Sequence, residues 1–386
     1  MQESLFTKMT NSLYDILIFH LAGGWGGAEK TTINIFNALS PNYRVVILTN
    51  RSEFRHATGY KPTVIVAPFK WWFGSWKDIV KDIFHLGLAI KHLRPRAVIG
   101  IMPYAAFLVS TLRRIVGKRF LYIGSPRGSC LNYLKHFVPP PKRPKYRFFF
   151  LTAFALADYF LTPSRLSLQD YIQHFHVSPR KAIVIPNGIF VPNLQIEKVL
   201  SLREKSWDNP KVIWFGRISL EKRLDFILKS FGILSQSNFR ARLVMVGDGD
   251  SNYKHNLEQY ANELGISGQI EWVGYQKNVI PFLLKSHLSL HACMWEEFGY
   301  TIAESIAAGL PVIAYDCPYG PREILDGGRY GILVKTEDEM AEAMKELLEN
   351  ISFWRELSQR SFLRARDFDI KKISEKYREA FKKILG

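Results

Sequence analysis

The sequence predicts an α/β protein built as two doubly wound domains in series, each a parallel sheet covered by helices. Three observations predict it. Short apolar runs rich in β-branched residues, closed by Gly, Pro, Asn or Ser, recur along the chain. Stretches with helical spacing fill the intervals, which is the pattern of a parallel sheet buried on both faces. The pattern then restarts after a polar stretch, Glu197–Asn209.

In chain order, strands are expected at Ile16–Leu21, Val45–Leu48, Thr63–Val66, Ala97–Ile101, Phe120–Ile123 and Tyr159–Leu161. Between the first two, Ile33, Phe36, Ala38 and Leu39 have helical spacing. The second series is Val212–Phe215, Arg242–Val246, Ile270–Val273, Leu288–Ala292 and Val312–Ala314. After its first strand, Leu224, Ile227, Leu228, Phe231 and Leu234 form one apolar stripe of a helix. The tail from Thr336 reads as helical, its last helix carrying Ile370, Ile373, Tyr377, Phe381 and Ile384 on one face. The expected division is residues 1–190, residues 191–365 and a terminal helix over 366–386, with a hinge near residues 190–208.

The chain has 386 residues, 47% of them apolar, enough for two cores. Its formal charge of +17 is one-sided. Residues 1–190 hold 25 Lys and Arg against 8 Asp and Glu, while the remainder holds 27 of each. A basic half of this kind points to an anionic partner. Cys130, Cys293 and Cys317 have neither metal-ligand spacing nor an even count for a disulfide framework. A reducing, cytoplasmic setting is expected. The first apolar run is too short for a signal peptide and lacks its cleavage site, and no run reaches the ~20 residues that span a bilayer.

Five segments could carry chemistry. Gly23-Gly24-Trp25-Gly26-Gly27-Ala28-Glu29 joins the first strand to a helix; it reads either as a loop admitting a phosphate or sugar, or as a tight turn. Phe215-Gly216-Arg217 through Glu221-Lys222 places two cations at a helix N-terminus, where exposed N–H groups already favour anions. Such a pair fits a diphosphate, and equally an exposed surface pair. Val246-Gly247-Asp248-Gly249 is a glycine turn after a strand. In Trp295–Glu304 a loop carboxylate, Glu296, and a helix carboxylate, Glu304 in the first turn, could grip two sets of hydroxyls. Thr301-x-x-Glu304 is also a capping-box pattern, which would occupy Glu304 structurally. Gly320-Pro321-Arg322-Glu323-Ile324 reads alone as a turn and helix start.

Taken in order, these stretches resemble the retaining family 4 glycosyltransferases (group 1) of the GT-B fold. The resemblance rests on Gly26-Gly27-Ala28-Glu29, Ile185-Pro186-Asn187-Gly188, Gly216-Arg217 with Glu221-Lys222, Val246-Gly247-Asp248-Gly249, Glu296 with Phe298-Gly299 and Glu304, and Gly309-Leu310-Pro311-Val312. It implies two Rossmann-like domains facing a cleft, an acceptor half first and a donor half second, with the last helix crossing back to the first domain. The implied donor is a nucleotide-diphosphate sugar. Arg217 and Lys222 match the diphosphate-binding pair, Glu304 the carboxylate on the ribose, and Glu296 the one on the sugar hydroxyls. Phe298, Gly299 and Gly247 match further donor contacts, and Gly27 a glycine near the transferring sugar. Arg217, Lys222 and Glu296 are the implied catalytic set. In the front-face displacement usual for the family, the leaving phosphate takes the acceptor's proton, so no metal and no cofactor is expected.

Three departures stand out. Many relatives carry histidine where this chain reads Gly124-Ser125-Pro126-Arg127-Gly128, making Arg127 the acceptor-side candidate. Arg223 and Glu297 each stand where relatives usually have glycine. The segment at 320–324 resembles some surface-polysaccharide transferases, which points to a UDP-sugar. The basic half, with Phe69–Lys77, Arg113, Arg114, Lys118, Arg119, Lys142, Arg143, Lys145 and Arg147, predicts peripheral binding to an anionic membrane, on its inner face, and a lipid-linked or cell-surface glycan acceptor. The alternative there is aromatics in the core and charges on a solvated face.

Rival readings are a GT-B nucleotide-sugar epimerase, a non-catalytic binder of nucleotides or nucleic acid, and a dinucleotide-dependent oxidoreductase. Carboxylates at Glu296 and Glu304 would repel a nucleic-acid backbone, so no nucleic-acid partner is expected. Neither glycine loop completes a dinucleotide fingerprint.

Overall fold

The computed structural model describes residues 13–23, 26–56, 62–237 and 239–386. The chain forms two compact units: residues 1–188 with 370–386, and residues 189–369. Each is built on an all-parallel sheet.

In the first unit the strands are β1 Ile16–His20, β2 Val45–Thr49, β3 Thr63–Val66, β4 Ala97–Ile101, β5 Leu121–Ser125, β6 Tyr159–Thr162 and β7 Ala182–Val184. Their order is β3-β2-β1-β4-β5-β6-β7. The connections are α1 Gly27–Leu39, α2 Trp76–Leu93, α3 Pro103–Val116, α4 Cys130–His136, α5 Arg143–Ala155 and α6 Arg165–Phe175. Every residue of β1 is buried. Leu17 and Phe19 enter the core with the α2, α3 and α5 residues Leu86, Phe107 and Phe150, whereas Ile16 and Ile18 enter the opposite core with Ile35 and Phe36 of α1. The period-two alternation thus feeds two cores at once. Burying each such side chain contributes ~1.5–3 kcal/mol.

The second unit repeats the plan with β8 Lys211–Phe215, β9 Arg242–Val246, β10 Ile270–Gly274, β11 Leu288–His291, β12 Val312–Tyr315 and β13 Ile332–Val334, ordered β10-β9-β8-β11-β12-β13. Its helices are α7 Ile196–Glu204, α8 Leu224–Gln236, α9 Ser251–Glu263, α10 Ile280–Lys285, α11 Tyr300–Ala307, α12 Gly320–Ile324, α13 Glu337–Glu349 and α14 Ile351–Ala365. The stripe expected on α8 is buried at all five positions.

The last helix, α15 Ile370–Leu385, belongs to the first unit. It buries Ile373, Tyr377, Phe381 and Leu385 in the core that holds Ile35, Phe36 and Leu39 of α1. The hinge expected near residues 190–208 is corrected by the structure. The chain passes between units at 188/189 and at 369/370, and residues 196–204 are α7, with Leu200 and Arg203 buried in the second unit. The polar composition there belongs to the exposed face of a helix. At the crossing Ile189 N–H donates to Phe368 O at 2.9 Å, and Asn34 Nδ2 of α1 donates to Gly188 O at 2.9 Å.

Arg203 explains how two helix ends are held inside the second unit. Its buried guanidinium donates to the carbonyls of Leu283 and Leu284 at the end of α10 and of Ala308 and Gly309 just past α11. Helix C-termini leave such carbonyls without partners. Burial alone lowers the Arg203 pKa to about 9. Beside it, His287 accepts from Lys211 N–H at Nδ1 (3.0 Å), so its Nε2–H is the donor to Arg203 O at 3.0 Å. Burial is the main cause that pushes His287 down to about 4. His291, at the end of β11, is likewise lowered to about 3, by burial and then by the charge of Lys222.

Both histidines are therefore neutral in the fold and protonate near pH 6.5 once unfolded, so stability is full above that pH and falls as pH drops toward their folded values. Unfolding free energy from urea titrations is expected to fall by on the order of 3 kcal/mol between pH 7 and pH 5. The His287→Gln variant should show a shallower slope over that window.

Candidate active site

Parallel open sheets bind ligands at the carboxyl ends of their strands, where the strand order reverses. In the second unit that point lies between β8 and β11, which pair directly through Leu288 with Val212 and Ser289 with Ile213. The loops leaving these two strands carry Arg217, Lys222 and Glu296. Topology therefore brings together residues 74 positions apart in sequence.

Lys222 Nζ donates to Glu296 Oε2 at 2.7 Å and to Cys293 Sγ at 3.4 Å. The Cys293 thiol in turn lies 3.7 Å from the same Glu296 oxygen. The Lys222 and Glu296 side chains keep 22% and 23% of their surface, so the pair is sheltered yet reachable. Burial opposes the Lys222 charge, but Cys293 and Glu296 outweigh it and hold the ammonium well above the ordinary lysine range. Burial also lifts the Cys293 thiol to about 11, so at neutral pH the counter-charge comes from the Glu296 carboxylate. Two of the three ammonium donors are engaged, which leaves one for a phosphate oxygen. Arg217 is more open, with 61% of its side chain exposed, and donates to Glu221 Oε1 at 3.0 Å. Burial raises the Glu221 carboxyl, but hydrogen bonds from Ser219 and its own backbone, with Arg217 and Lys222 nearby, hold it below the usual range.

Backbone contacts lock the corner. Met294 N–H donates to Glu221 O at 2.8 Å, tying the β11 loop to the β8 loop. Gly320 N–H donates to Glu296 O at 2.6 Å, and a Cβ on Gly320 would collide with Phe298 O. The segment at 320–324 is thus more than a turn: its glycine lets the chain close onto the Glu296 loop. Phe298 is buried against Tyr300 and Phe368, with ring centroids 5.4 and 5.6 Å away. Gly299, at φ 99°, is the residue before α11 and has the left-handed backbone that glycine adopts at least cost.

The capping box is absent at α11. Gly299 occupies the cap position, and Thr301 Oγ1 is instead hydrogen-bonded to His291 Nδ1 at 3.2 Å. Glu304 lies at the fifth residue of α11, half-buried, beyond the first turn where the sequence spacing put it. Its helix is fixed at the start by His291 and at the end by Arg203.

Gly247 acquires a packing reason. The loops after β8 and β9 continue side by side: Gly216 N–H donates to Val246 O at 3.0 Å and Ile218 N–H to Asp248 O at 2.9 Å. A Cβ on Gly247 would overlap Gly216 O, and one on Gly249 would overlap Ile218 O. Arg223 sits at φ 46°, a left-handed backbone that glycine adopts at least cost. Its guanidinium lies over the rings of Phe226 and Tyr315, 4.6 and 4.5 Å from their centroids. Glu297 is buried.

In the first unit, the sheet order reverses between β1 and β4. Gly27 opens α1 directly after the β1 loop, while Gly24 and Trp25 of that loop lie outside the described residues. Glu29 Oε2 accepts from Gly26 N–H at 2.7 Å, and its Oε1 meets His20 Nε2 at 3.1 Å, so this carboxylate anchors the loop to β1. Arg127, at φ 51°, donates to Asn187 Oδ1 at 3.1 Å and to the Tyr377 hydroxyl at 3.2 Å. Both its terminal nitrogens tie β5 to the Ile185–Gly188 segment and to α15.

A surface cavity of about 440 Å³ elsewhere in the second unit is lined by Arg329, Tyr330, Arg360, Leu363, Arg364 and Asp367. Its arginines already serve Glu356, Asp367 and the carbonyls of Glu323 and Ile324, and it includes none of the residues above.

Comparison with known proteins bears on the whole chain. The profile of Glycosyltransferase Family 4 matches residues 25–191, and that of Glycosyl transferases group 1 matches residues 201–363. An uncharacterized glycosyltransferase of Methanocaldococcus jannaschii is 27% identical over 60% of this chain, a match that spans 64% of that relative's length. The Campylobacter jejuni N-acetylgalactosamine-N,N'-diacetylbacillosaminyl-diphospho-undecaprenol 4-alpha-N-acetylgalactosaminyltransferase is 24% identical over 96% of this chain and 99% of its own. Among solved structures, Anabaena HepE in complex with UDP-glucose superposes with a TM-score of 0.78 at 20% identity, over 96% of this chain and 100% of that one.

The two cation–carboxylate pairs of the corner should differ in strength. A double-mutant cycle on Lys222→Ala and Glu296→Ala, read by urea unfolding, is expected to give a coupling of about 1–2 kcal/mol. Arg217→Ala with Glu221→Ala should give less than about 0.5 kcal/mol, as exposed pairs do.

Proposed function

Because the chain belongs to the family 4, group 1 glycosyltransferases of the GT-B fold, we propose that it moves a sugar from a UDP-sugar to a hydroxyl of a lipid-linked or cell-surface glycan, with retention of anomeric configuration. The observation that carries this reading is the contact of Lys222 with Glu296 at the reversal point of the second sheet.

In this reading the diphosphate lies against Lys222 and Arg217. The spare donor of Lys222 and the open guanidinium of Arg217 stabilise charge as it grows on the departing phosphate. Glu296 orients the donor sugar through its hydroxyls, and its bond to Lys222 sets the distance between sugar and diphosphate anchors. Glu304 holds the ribose from α11, and Phe298, Gly299 and Gly247 shape the backbone around the donor. The acceptor hydroxyl attacks the anomeric carbon on the face the diphosphate leaves; the carbon–oxygen bond to the phosphate breaks, and the hydroxyl proton passes to a phosphate oxygen. Positioning and fixed charge supply the catalysis, with no metal and no cofactor in the scheme. Gly27 and Arg127 belong to the acceptor half, where Arg127 acts by fixing Asn187 and Tyr377.

Two relatives support the finer points. HepE was solved with UDP-glucose, and the Campylobacter jejuni enzyme is named for a diphospho-undecaprenol acceptor and an alpha linkage. An epimerase would act on the donor alone, and its product would be an epimer of the nucleotide sugar.

Titration calorimetry tests the assignment. Lys222→Ala should weaken UDP binding by about tenfold or more while leaving uridine affinity within about twofold. Equal loss for UDP and uridine would remove Lys222 from the diphosphate. Incubation with a nucleotide-sugar panel and a lipid-diphosphate glycan should release UDP and form an alpha-linked product from an alpha-linked donor, read by NMR.

A further inference from the structure

The first unit carries a set of exposed apolar side chains that its own fold does not use. On α2, Trp76, Val80 and Phe84 recur every four residues and keep 65%, 65% and 63% of their surface. Spacing by four puts them on one face, opposite Ile79, Leu86 and Leu93, which enter the core. Phe148 of α5 and Trp71 of the preceding loop are exposed too. Trp71, Trp76 and Phe148 are linked through inner rings, with Trp72 in turn 5.2 Å from Phe73. Trp76 lies 6.4 Å from Phe149, which stands 6.2 Å from Phe148 and stacks on Phe73 at 4.4 Å. Trp71 lies 6.1 Å from Trp72 and covers Gly23, where a Cβ would come within 2.8 Å of its indole. The aromatics of residues 69–77 therefore divide: Phe69, Trp72 and Phe73 pack inward, whereas Trp71 and Trp76 face outward.

The charge around the stripe is predominantly positive. Lys77 and Lys81 follow Trp76 and Val80 by one residue and flank the stripe, and Lys70 precedes Trp71; all three are exposed. Lys142, Arg143, Lys145 and Arg147 are exposed around Phe148. Residues 70–147 contain sixteen Lys and Arg against two Asp. Asp82 is buried, accepting from the Tyr104 hydroxyl at 2.9 Å, and Asp78 is taken up by the Ser75 cap. Arg113 does not contribute to this surface, because it is buried against Asp158.

We propose that the α2 stripe is a docking face for an anionic lipid bilayer, with Trp71, Trp76, Val80, Phe84 and Phe148 entering the interface and the flanking lysines meeting the headgroups. Two features select this occupant. Bulky apolar side chains ringed by cations match an interface with a hydrocarbon side and an anionic side. A second copy of the chain would set two surfaces of like charge against each other, and a nucleic acid would leave Val80 and Phe84 without an apolar partner. Trp71 over Gly23 links this face to the loop that leaves β1. The proposal draws on the transfer reading only for its purpose, delivery of a lipid-linked acceptor; the binding itself is a property of the first unit.

Vesicle sedimentation of the full chain tests it, using phosphatidylcholine vesicles with and without about 30% phosphatidylglycerol. Binding is expected only with the anionic lipid. It should weaken about tenfold or more in Trp76→Ser/Val80→Ser/Phe84→Ser, and again in Lys77→Glu/Lys81→Glu, and should fall on raising salt from 50 to 500 mM for the charge-borne part. UDP affinity by calorimetry should be unchanged in both variants, which separates a lost membrane face from a lost fold or a wrong donor site. Binding that survives both sets of substitutions, absence of binding to anionic vesicles, salt-sensitive binding to single-stranded RNA in place of vesicles, or a dimer that the triple serine variant dissolves would each overturn the proposal.

Discussion

One ion pair organises the second unit's candidate site: the Lys222 ammonium against the Glu296 carboxylate. It exists because β8 and β11 are neighbours although five α-helices and strands intervene between them in sequence. A right-handed parallel sheet that winds first one way and then the other must place two outgoing loops side by side at one point. Both partners leave from that point. The pairing has a chemical consequence. A cation kept charged by a fixed carboxylate can meet a further anionic group, and a carboxylate held by that cation has one oxygen positioned and one to offer.

The surrounding packing is arranged to keep those loops still. Glycine is required where backbones approach closely, at Gly247 against Gly216 O and at Gly320 against Phe298 O. The helix that carries Glu304 is held at its start by the neutral His291 and at its end by the Arg203 guanidinium. Burial keeps His291 neutral, and the Arg203 guanidinium keeps its charge while it holds the carbonyls past α11. The stability of the core and the geometry of the site therefore depend on the same buried groups, and a loss at one end of α11 should be felt at the other.

Much of this was legible in the sequence. Ala97–Ile101 has the expected bounds because an unbroken apolar run closed by turn formers has few other ways to be buried; Thr63–Val66 and Arg242–Val246 also match, each led by an exposed polar residue. β7 and β13 were missed: each is three residues long, at a sheet edge, and only partly buried, so the pattern carries too few positions. The hinge was misplaced because an exposed helix and a linker share polar composition. In the site, Arg217, Lys222 and Glu296 could be named from motif order, but Cys293 could not. Its link to Lys222 is a through-space contact 71 residues long in sequence, announced by no spacing rule. Thr301 shows the converse: a local pattern for a cap was present, and a buried histidine from a neighbouring strand took the hydroxyl instead.

The first unit uses the same architecture for a different end. Glu29, His20 and Arg127 spend their polar groups on holding loops and α15, and the excess positive charge lies outside that network. The most direct test of the account is a crystal structure with a UDP-sugar bound. The account predicts the β-phosphate within about 3 Å of Lys222 Nζ, the donor sugar hydroxyls on Glu296 and the ribose on Glu304. A diphosphate seated elsewhere, with Lys222 still engaged by Glu296 and Cys293 alone, would contradict it.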